Sequence, residues 1–184
     1  MPEVVKDKQT VKDLLEKFEG SQDLGFDSNE IPMVLVPVEK TKEVFKFLKN
    51  EKKYDYFNCL TSAEDDNFYI SLYTLYAILD NSRRRITIRI NHPKDNPKGY
   101  SVSDIYPNAN WFEREAYDLM GIVYEGHPNL TRILTTDDWI GHTCRRDYKI
   151  IEPESYTNIL KSEEDEHVKF GLERSNPYKK GLKD

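Results

Sequence analysis

The sequence predicts an α+β fold in which a small, largely antiparallel sheet carries helices on one face. An irregular extended segment and a charged C-terminal tail follow it. The best-defined feature is a hairpin: residues 68–79 are almost continuously aromatic or aliphatic, residues 80–82 favour a turn, and Ile86, Ile88 and Ile90 then alternate with polar residues. Segments with helical periodicity precede and follow this hairpin, and no internal repeat interrupts the order of elements.

The first predicted element is an amphipathic helix. Its apolar residues recur at helical spacing, at Val11, Leu14, Leu15 and Phe18. We expect Thr10, together with Asp13, to cap this helix and Gly20 to end it.

The following elements are predicted from shorter patterns. Residues 21–30 are polar and are predicted to form a connector. Residues 33–36 form an apolar strand between two prolines, and a second helix opens at Thr41. Residues 54–60 are predicted as another strand, and residues 91–99, which contain two prolines, as a loop.

A third helix is predicted directly after residue 109. Asn110 and Glu113 have the spacing of a capping box, and Gly121 ends the helix. Arg114 and Asp118 are one turn apart and are expected to pair. One apolar stripe faces the core, formed by Phe112, Ala116, Leu119 and Met120.

Residues 129–148 are aromatic but irregular. Their apolar residues follow neither a helical nor a strand period: Leu130, Ile133, Leu134, Trp139 and Ile140. We therefore expect this segment to need an external surface, with Trp139 as anchor and with Arg145 and Arg146 facing carboxylates of a partner. The predicted division is a domain at 1–121, a partner-docking segment at 122–150 and a charged tail at 151–184.

Length, charge and cysteine content exclude several classes of function. With 184 residues, 38% of them hydrophobic, the chain can bury one core, and a net charge of −6 argues against general affinity for nucleic acid or anionic lipid. The absence of a signal-peptide pattern or a membrane-span window predicts a cytosolic protein. Cys59 and Cys144 are isolated, so neither a zinc site nor an iron-sulfur cluster is predicted.

No catalytic set stands out. His127 and His142, with Glu125, Asp137 and Asp138 nearby, have the residue types of a metal site or of an acid/base pair. Each histidine follows a glycine, and hydrogen-bonded turn histidines are the simpler interpretation. No nucleophile elbow or phosphate loop occurs. A free-standing hydrolase that uses both histidines remains an alternative.

A long motif resembles a known family. The runs EREAYDLMGIVYEGHPNLTRIL and DDWIGHTCRRDY, preceded by VSDIYPNANWF, are similar to the hallmark of the C subunit of the proton-pumping NADH:quinone oxidoreductase, respiratory complex I. The resemblance is strongest over residues 101–148. The sequence departs from the family pattern at Thr131, usually basic, and at Thr143 and Cys144, where the family has proline and leucine.

The resemblance implies a structural subunit without flavin, iron-sulfur cluster, quinone, metal or catalytic residues of its own. It implies docking on the hydrogenase-like D subunit, within a complex that passes electrons from NADH through FMN and iron-sulfur clusters to quinone and translocates ions. It also implies a peripheral position on the cytoplasmic side of the plasma membrane. The corresponding subunit of a membrane-bound hydrogenase or ferredoxin-linked dehydrogenase is the alternative that the resemblance leaves open.

The family motif also nominates interface residues. As the resemblance implies, the partner-facing positions are Trp111, Glu113, Arg114, Glu115, Asp118, Gly126, His127, Pro128, Arg132, Asp138, Trp139, Gly141, His142, Arg145, Arg146, Asp147 and Tyr148. Trp111 on its own fits core packing and an interface equally well.

Overall fold

The computed structural model describes residues 7–80 and 82–149. The described residues up to Tyr148 belong to one compact unit. The predicted tail at 151–184 lies outside the described residues. The helices are α1 (Lys8–Lys17), α2 (Thr41–Asn50, after a 3-10 turn at Val38–Lys40) and α3 (Ala109–Met120). The strands are β1 (Gln22–Phe26), β2 (Pro32–Leu35), β3 (Tyr56–Glu64), β4 (Phe68–Tyr76), β5 (Arg85–Pro93), β6 (Lys98–Tyr100) and β7 (Val123–Glu125).

Five strands form the main sheet in the order β1-β2-β5-β4-β3. Every neighbouring pair is antiparallel except β2 and β5, so the predicted α+β class with a largely antiparallel sheet is confirmed. The predicted hairpin is β4–β5, in which Tyr73 lies opposite Ile88. Strand β6 precedes α3 and strand β7 follows it, and the two strands pair as a small parallel ladder.

One face of the sheet packs against the helices. Tyr73 and Ile88 share this face and are fully buried, together with Leu14 of α1 and Phe45 of α2. The rings of Phe45 and Tyr73 meet edge to face at 4.9 Å between centroids. Burying such a side chain contributes about 1.5–3 kcal/mol, so this layer supplies the main stabilising term of the domain.

Three local predictions are wrong. Residues 21–30 are not only a connector, because they contain β1, which pairs with β2. The side chains of β1 are mostly exposed, so its sequence has no hydrophobic period that would predict a strand. Helix α1 is capped by Asp7, whose carboxylate accepts the Thr10 backbone N–H at 3.0 Å, rather than by Thr10. Residues 91–99 contain the end of β5 and the start of β6.

Candidate partner-docking site

Helix α3 is built as its apolar stripe predicts. Ala116 and Met120 are buried, and Phe112 and Leu119 pack against the core beside them. The helix ends at Gly121, whose φ of +72° is in the left-handed region that glycine adopts without strain. The stripe fixes the helix on the domain and leaves its other side for contacts with the chain that follows.

The predicted capping box at Asn110 is wrong. The residue before the helix is Asn108, and the Glu113 side chain turns into the protein interior. There its carboxylate accepts a hydrogen bond from Ser101 Oγ at 2.6 Å and another from the Val102 backbone N–H at 2.7 Å. Burial raises the pKa of Glu113 to about 7, because the two neutral donors only partly replace the lost water. Glu113 therefore holds α3 against the loop after β6. Sequence spacing alone does not predict Ser101 as its hydrogen-bond partner.

His127 lies beside Glu113 as a turn histidine. Its Nε2 donates to the Asn110 carbonyl at 3.2 Å, and its Nδ1 accepts the Asn129 backbone N–H at 3.0 Å. These two contacts require the neutral ring, and burial lowers the pKa of His127 in agreement. Its Nε2 is 4.0 Å from a Glu113 carboxylate oxygen.

Asp118 is the centre of the contacts between α3 and the 129–148 segment. It is fully buried, and its Oδ1 accepts from Arg132 Nη1 at 2.8 Å. Its Oδ2 accepts three consecutive backbone N–H groups, those of Ile133, Leu134 and Thr135, at 3.0, 2.7 and 2.9 Å. Burial opposes the charge, but the hydrogen bonds from the Thr135 hydroxyl and the three backbone N–H groups outweigh it and hold the pKa of Asp118 well below its usual range.

The predicted Arg114–Asp118 pair is therefore wrong. Arg114 donates instead to the carbonyls of Thr131 and Arg132, at 3.1 and 2.9 Å. Its guanidinium also lies 5.4 Å from the Trp111 ring centroid. Helical spacing allows the Arg114–Asp118 pair. The buried Asp118 carboxylate instead pairs with Arg132, fourteen residues downstream, because the segment that contains Arg132 covers it.

The C-terminal end of α3 is closed by the same segment. The His142 Nδ1–H donates to the Asp118 carbonyl at 2.8 Å, the Cys144 N–H to Leu119 at 3.0 Å, and Arg145 Nε to Met120 at 2.8 Å. These are the carbonyls that a helix leaves unpaired at its last turn. A Cβ on Gly121 would lie inside contact distance of both Arg145 and His142, so this packing requires glycine.

Arg145 and Arg146 also contact groups within the chain. The Arg145 guanidinium lies 4.7 Å from the Tyr69 ring centroid. Arg146 donates from Nη1 to Asp66 at 3.1 Å and from its backbone N–H to the Glu64 carboxylate at 2.7 Å. Backbone N–H groups of the segment find further partners within the chain, on α3 and at the end of β3.

The segment nevertheless leaves large apolar side chains in solvent. We define the Trp139 surface as Trp111, Leu134, Trp139 and Ile140, which are 63%, 63%, 43% and 72% exposed. Trp139 Nε1 donates to the Tyr148 hydroxyl at 3.0 Å, which fixes the indole in place. The exposure of Trp111 excludes core packing for that residue in this unit. Exposed apolar residues on an anchored backbone are typical of interaction sites.

The other motif residues either form turns or lie in solvent. Gly126 and Gly141 have φ of +82° and +85°, and the Gly141 carbonyl accepts from Arg132 at 3.1 Å. The remaining motif positions are exposed: Glu115, Pro128, Asp138 and Asp147. Thr135 was missed by sequence reasoning, although its hydroxyl also donates to Asp118.

The two histidines do not form one site. His127 contacts the carbonyl of Asn110 near the start of α3, and His142 that of Asp118 near its end, so about 12 Å of helix separates their contacts. Among residues 7–80 and 82–149 no group of three histidine, cysteine or acidic side chains is arranged to hold a metal ion. In the same part of the chain no helix is long and apolar enough to cross a membrane.

Comparison with known families decides the identity. Residues 34–154 match the family described as the 30 kDa subunit of the respiratory-chain NADH dehydrogenase. The chain belongs to this family. The matched range runs from β2 through α3 and the 129–148 segment, so the geometry described above is that of a 30 kDa-type subunit.

Individual members agree with this assignment. The chain is 34% identical to the C subunit of NADH-quinone oxidoreductase from Geotalea uraniireducens over 84% of its own length and 94% of the relative's. The C subunit from Geobacter sulfurreducens is also 34% identical, over 82% and 94%. A Bdellovibrio bacteriovorus chain named as the C/D subunit is 32% identical over 79% of this chain and 25% of that relative.

Solved structures show the same fold. The trypsin-resistant fragment of Nqo5 superposes with a TM-score of 0.57 at 26% identity, covering 66% of this chain and 99% of the fragment. A chain of the membrane-bound sulfane sulfur reductase, an archaeal respiratory membrane complex, superposes with a TM-score of 0.59 at 22% identity over 71% of this chain and 76% of that chain.

Proposed function

We propose that this 30 kDa-type chain is a structural subunit of the peripheral arm of a respiratory NADH:quinone oxidoreductase and docks on the hydrogenase-like D subunit. The observation that carries the proposal is the Trp139 surface, four large exposed apolar side chains held by buried polar anchors. Because Asp118 and the end of α3 already position the backbone, docking orders little additional chain, which favours affinity.

Two further observations support the choice of partner and role. The Bdellovibrio relative carries both letters, C and D, in the name of one chain, and the part similar to this chain is a quarter of it. Fused subunits are natural neighbours in a complex. The buried carboxylates of Glu113 and Asp118 hold segments of this chain together, as expected of a scaffold.

In this proposal the chemistry belongs to the complex. Other subunits bind NADH, FMN, the iron-sulfur clusters and quinone, while this chain has a structural role and binds its partner subunit. It lies on the cytoplasmic side of the plasma membrane and meets that membrane only through its partners.

The second candidate is the equivalent subunit of another membrane-bound respiratory complex. The observation in its favour is the shared fold with the archaeal sulfane sulfur reductase complex. The relatives named as NADH-quinone oxidoreductase subunits are more similar in sequence, at 34% against 22% identity. The hydrolase alternative has no geometric support, because its two histidines bind backbone groups near different ends of α3.

The test is purification of the tagged full chain from its own membranes in mild detergent, followed by identification of every protein that co-purifies. The proposal predicts the hydrogenase-like D subunit together with flavin- and NADH-binding proteins. Recovery of a partner with a complete nickel-iron site would instead assign the second candidate. Recovery of the tagged protein by itself, with hydrolytic turnover, would overturn both.

A further inference from the structure

A second exposed apolar site lies at the other end of the sheet. The connection after β4 presents Ile78 and Leu79, which are 46% and 86% exposed. The 129–148 segment contacts the chain before β4 begins, where Arg146 binds Asp66. Strand β4 is nine residues long, so about 26 Å separates its two ends. This site is therefore distinct from the contact of Arg146 with Asp66.

The backbone that presents these side chains is fastened to the sheet. The Asp55 carboxylate accepts the N–H groups of Ile78 and Leu79 at 2.9 and 3.3 Å. The Ala77 N–H donates to the Arg84 carbonyl at 2.9 Å and closes the hairpin. Leu79 is thus held outward by specific contacts, and no other side chain of the described residues covers it. Presenting an apolar group on a fixed backbone lowers the entropy cost of binding it.

Aromatic and cationic groups continue this site. The Tyr56 ring is 46% exposed and lies 6.2 Å from that of Tyr76. The Arg85 guanidinium lies 4.9 Å from the Tyr76 ring centroid, and Arg83, two residues earlier in the chain, is exposed. Within residues 7–80 and 82–149 no carboxylate forms an ion pair with Arg83 or Arg85, although acidic residues outnumber basic ones in this chain. Arg84, between them, is already paired with Asp80 and Asp7.

We propose that Tyr56, Tyr76, Ile78, Leu79, Arg83 and Arg85, the Leu79 surface, form a second docking site for an acidic protein surface with an apolar pocket. Leu79 fills the pocket. The guanidinium groups of Arg83 and Arg85 bind carboxylates, for which their planar donor geometry is suited. This site goes beyond the proposed function and does not depend on it, since it recruits another and different partner to the protein.

A photo-crosslinking residue at position 79 tests the occupant in the assembled complex. The tagged full chain carries the probe p-benzoylphenylalanine in place of Leu79, or in place of Ile140 or Leu24 in parallel samples, and is irradiated in its own membranes. We expect the probe at position 79 to attach to a segment rich in Asp and Glu, on a different protein from that reached from position 140. The control at position 24, on β1, should give no adduct with that segment.

Three outcomes would overturn the proposal: no adduct from position 79, an adduct with lipid, or an adduct with the same protein that position 140 reaches. Variants separate the apolar and charged parts. Leu79→Ala, and Arg83→Glu combined with Arg85→Glu, should each reduce recovery of this partner about tenfold, while Lys12→Glu on the exposed face of α1 leaves it unchanged. Arg83→Glu alone serves if the double variant lowers the thermal midpoint. Undiminished recovery in the charge variants would exclude an acidic partner.

Discussion

Asp118 Oδ1 accepts a hydrogen bond from Arg132 Nη1 at 2.8 Å, and this contact joins helix α3 to a segment that has no helix or strand of its own. The side chain of Asp118 is fully buried, and that of Arg132 is 17% exposed. A buried carboxylate with five protein donors replaces the ladder of hydrogen bonds that a regular element would provide. The geometry of the Trp139 surface depends on it.

Removing this charge should release the segment without unfolding the domain. Asp118→Asn keeps the size but turns one acceptor into a donor facing backbone N–H groups, which costs roughly 3–5 kcal/mol locally. We expect amide exchange of residues 133–135 to accelerate in the free protein while the β4–β5 ladder stays protected. Glu115→Gln, on the exposed side of the same helix, is the control. Unchanged exchange at Leu134 would show that the carboxylate does not hold the segment.

Gly121 should tolerate no side chain. Gly121→Ala adds strain at a φ of +72° and forces Arg145 and His142 away from the end of α3, for a loss of about 3 kcal/mol in unfolding free energy. Gly25→Ala is a matched control, because Gly25 has a similar φ of +79° and nothing within 4 Å of the added Cβ. It should lose only about 1 kcal/mol. Equal losses by chemical denaturation would mean that the packing against Gly121 carries no stability.

Glu113 should make the domain less stable as pH rises towards neutrality. Its folded pKa of about 7 lies above the ordinary value of 4.5, so the stabilisation from its neutral form is complete below pH 4.5 and is lost as pH rises through 7. His127 acts oppositely, because its pKa is lowered. The difference between wild type and Glu113→Gln isolates the carboxylate: the variant should gain roughly 1–3 kcal/mol relative to wild type between pH 5 and 8. Parallel stability–pH curves would contradict this assignment.

The isolated protein should bind no metal, flavin or nicotinamide. The two candidate ligand histidines, His127 and His142, already bind backbone groups of the chain. Elemental analysis and absorption spectra of chelator-free protein check this expectation. Stoichiometric zinc or iron, or a flavin spectrum, would contradict it.

The sequence predicted the sheet, the β4–β5 hairpin and the stripe of α3, because each depends on a local apolar period that survives in the fold. It missed β1, whose exposed residues have no period, and the partners of Glu113 and Asp118. Both carboxylates lie on α3, where helical spacing predicts that their partners are residues one turn away on the same helix. Their actual partners come from Val102 and Ile133, positions that only tertiary packing brings close.

Retention of the hydrogenase-like D subunit by a Trp139→Ala variant tests the central claim most directly. The tagged full chain is purified from its own membranes, and the ratio of this partner to the tagged protein is quantified alongside the thermal midpoint of the free protein. Leu24→Ala, a truncation of a 41% exposed apolar residue on β1, is the control.

Truncating an anchor residue at the centre of an interface costs about 2 kcal/mol or more, which is roughly a thirtyfold loss of affinity. We therefore expect Trp139→Ala to lose the hydrogenase-like partner while its thermal midpoint and the Leu24→Ala control remain unchanged. A wild-type ratio of that partner in Trp139→Ala would contradict the assignment of this surface as the docking site.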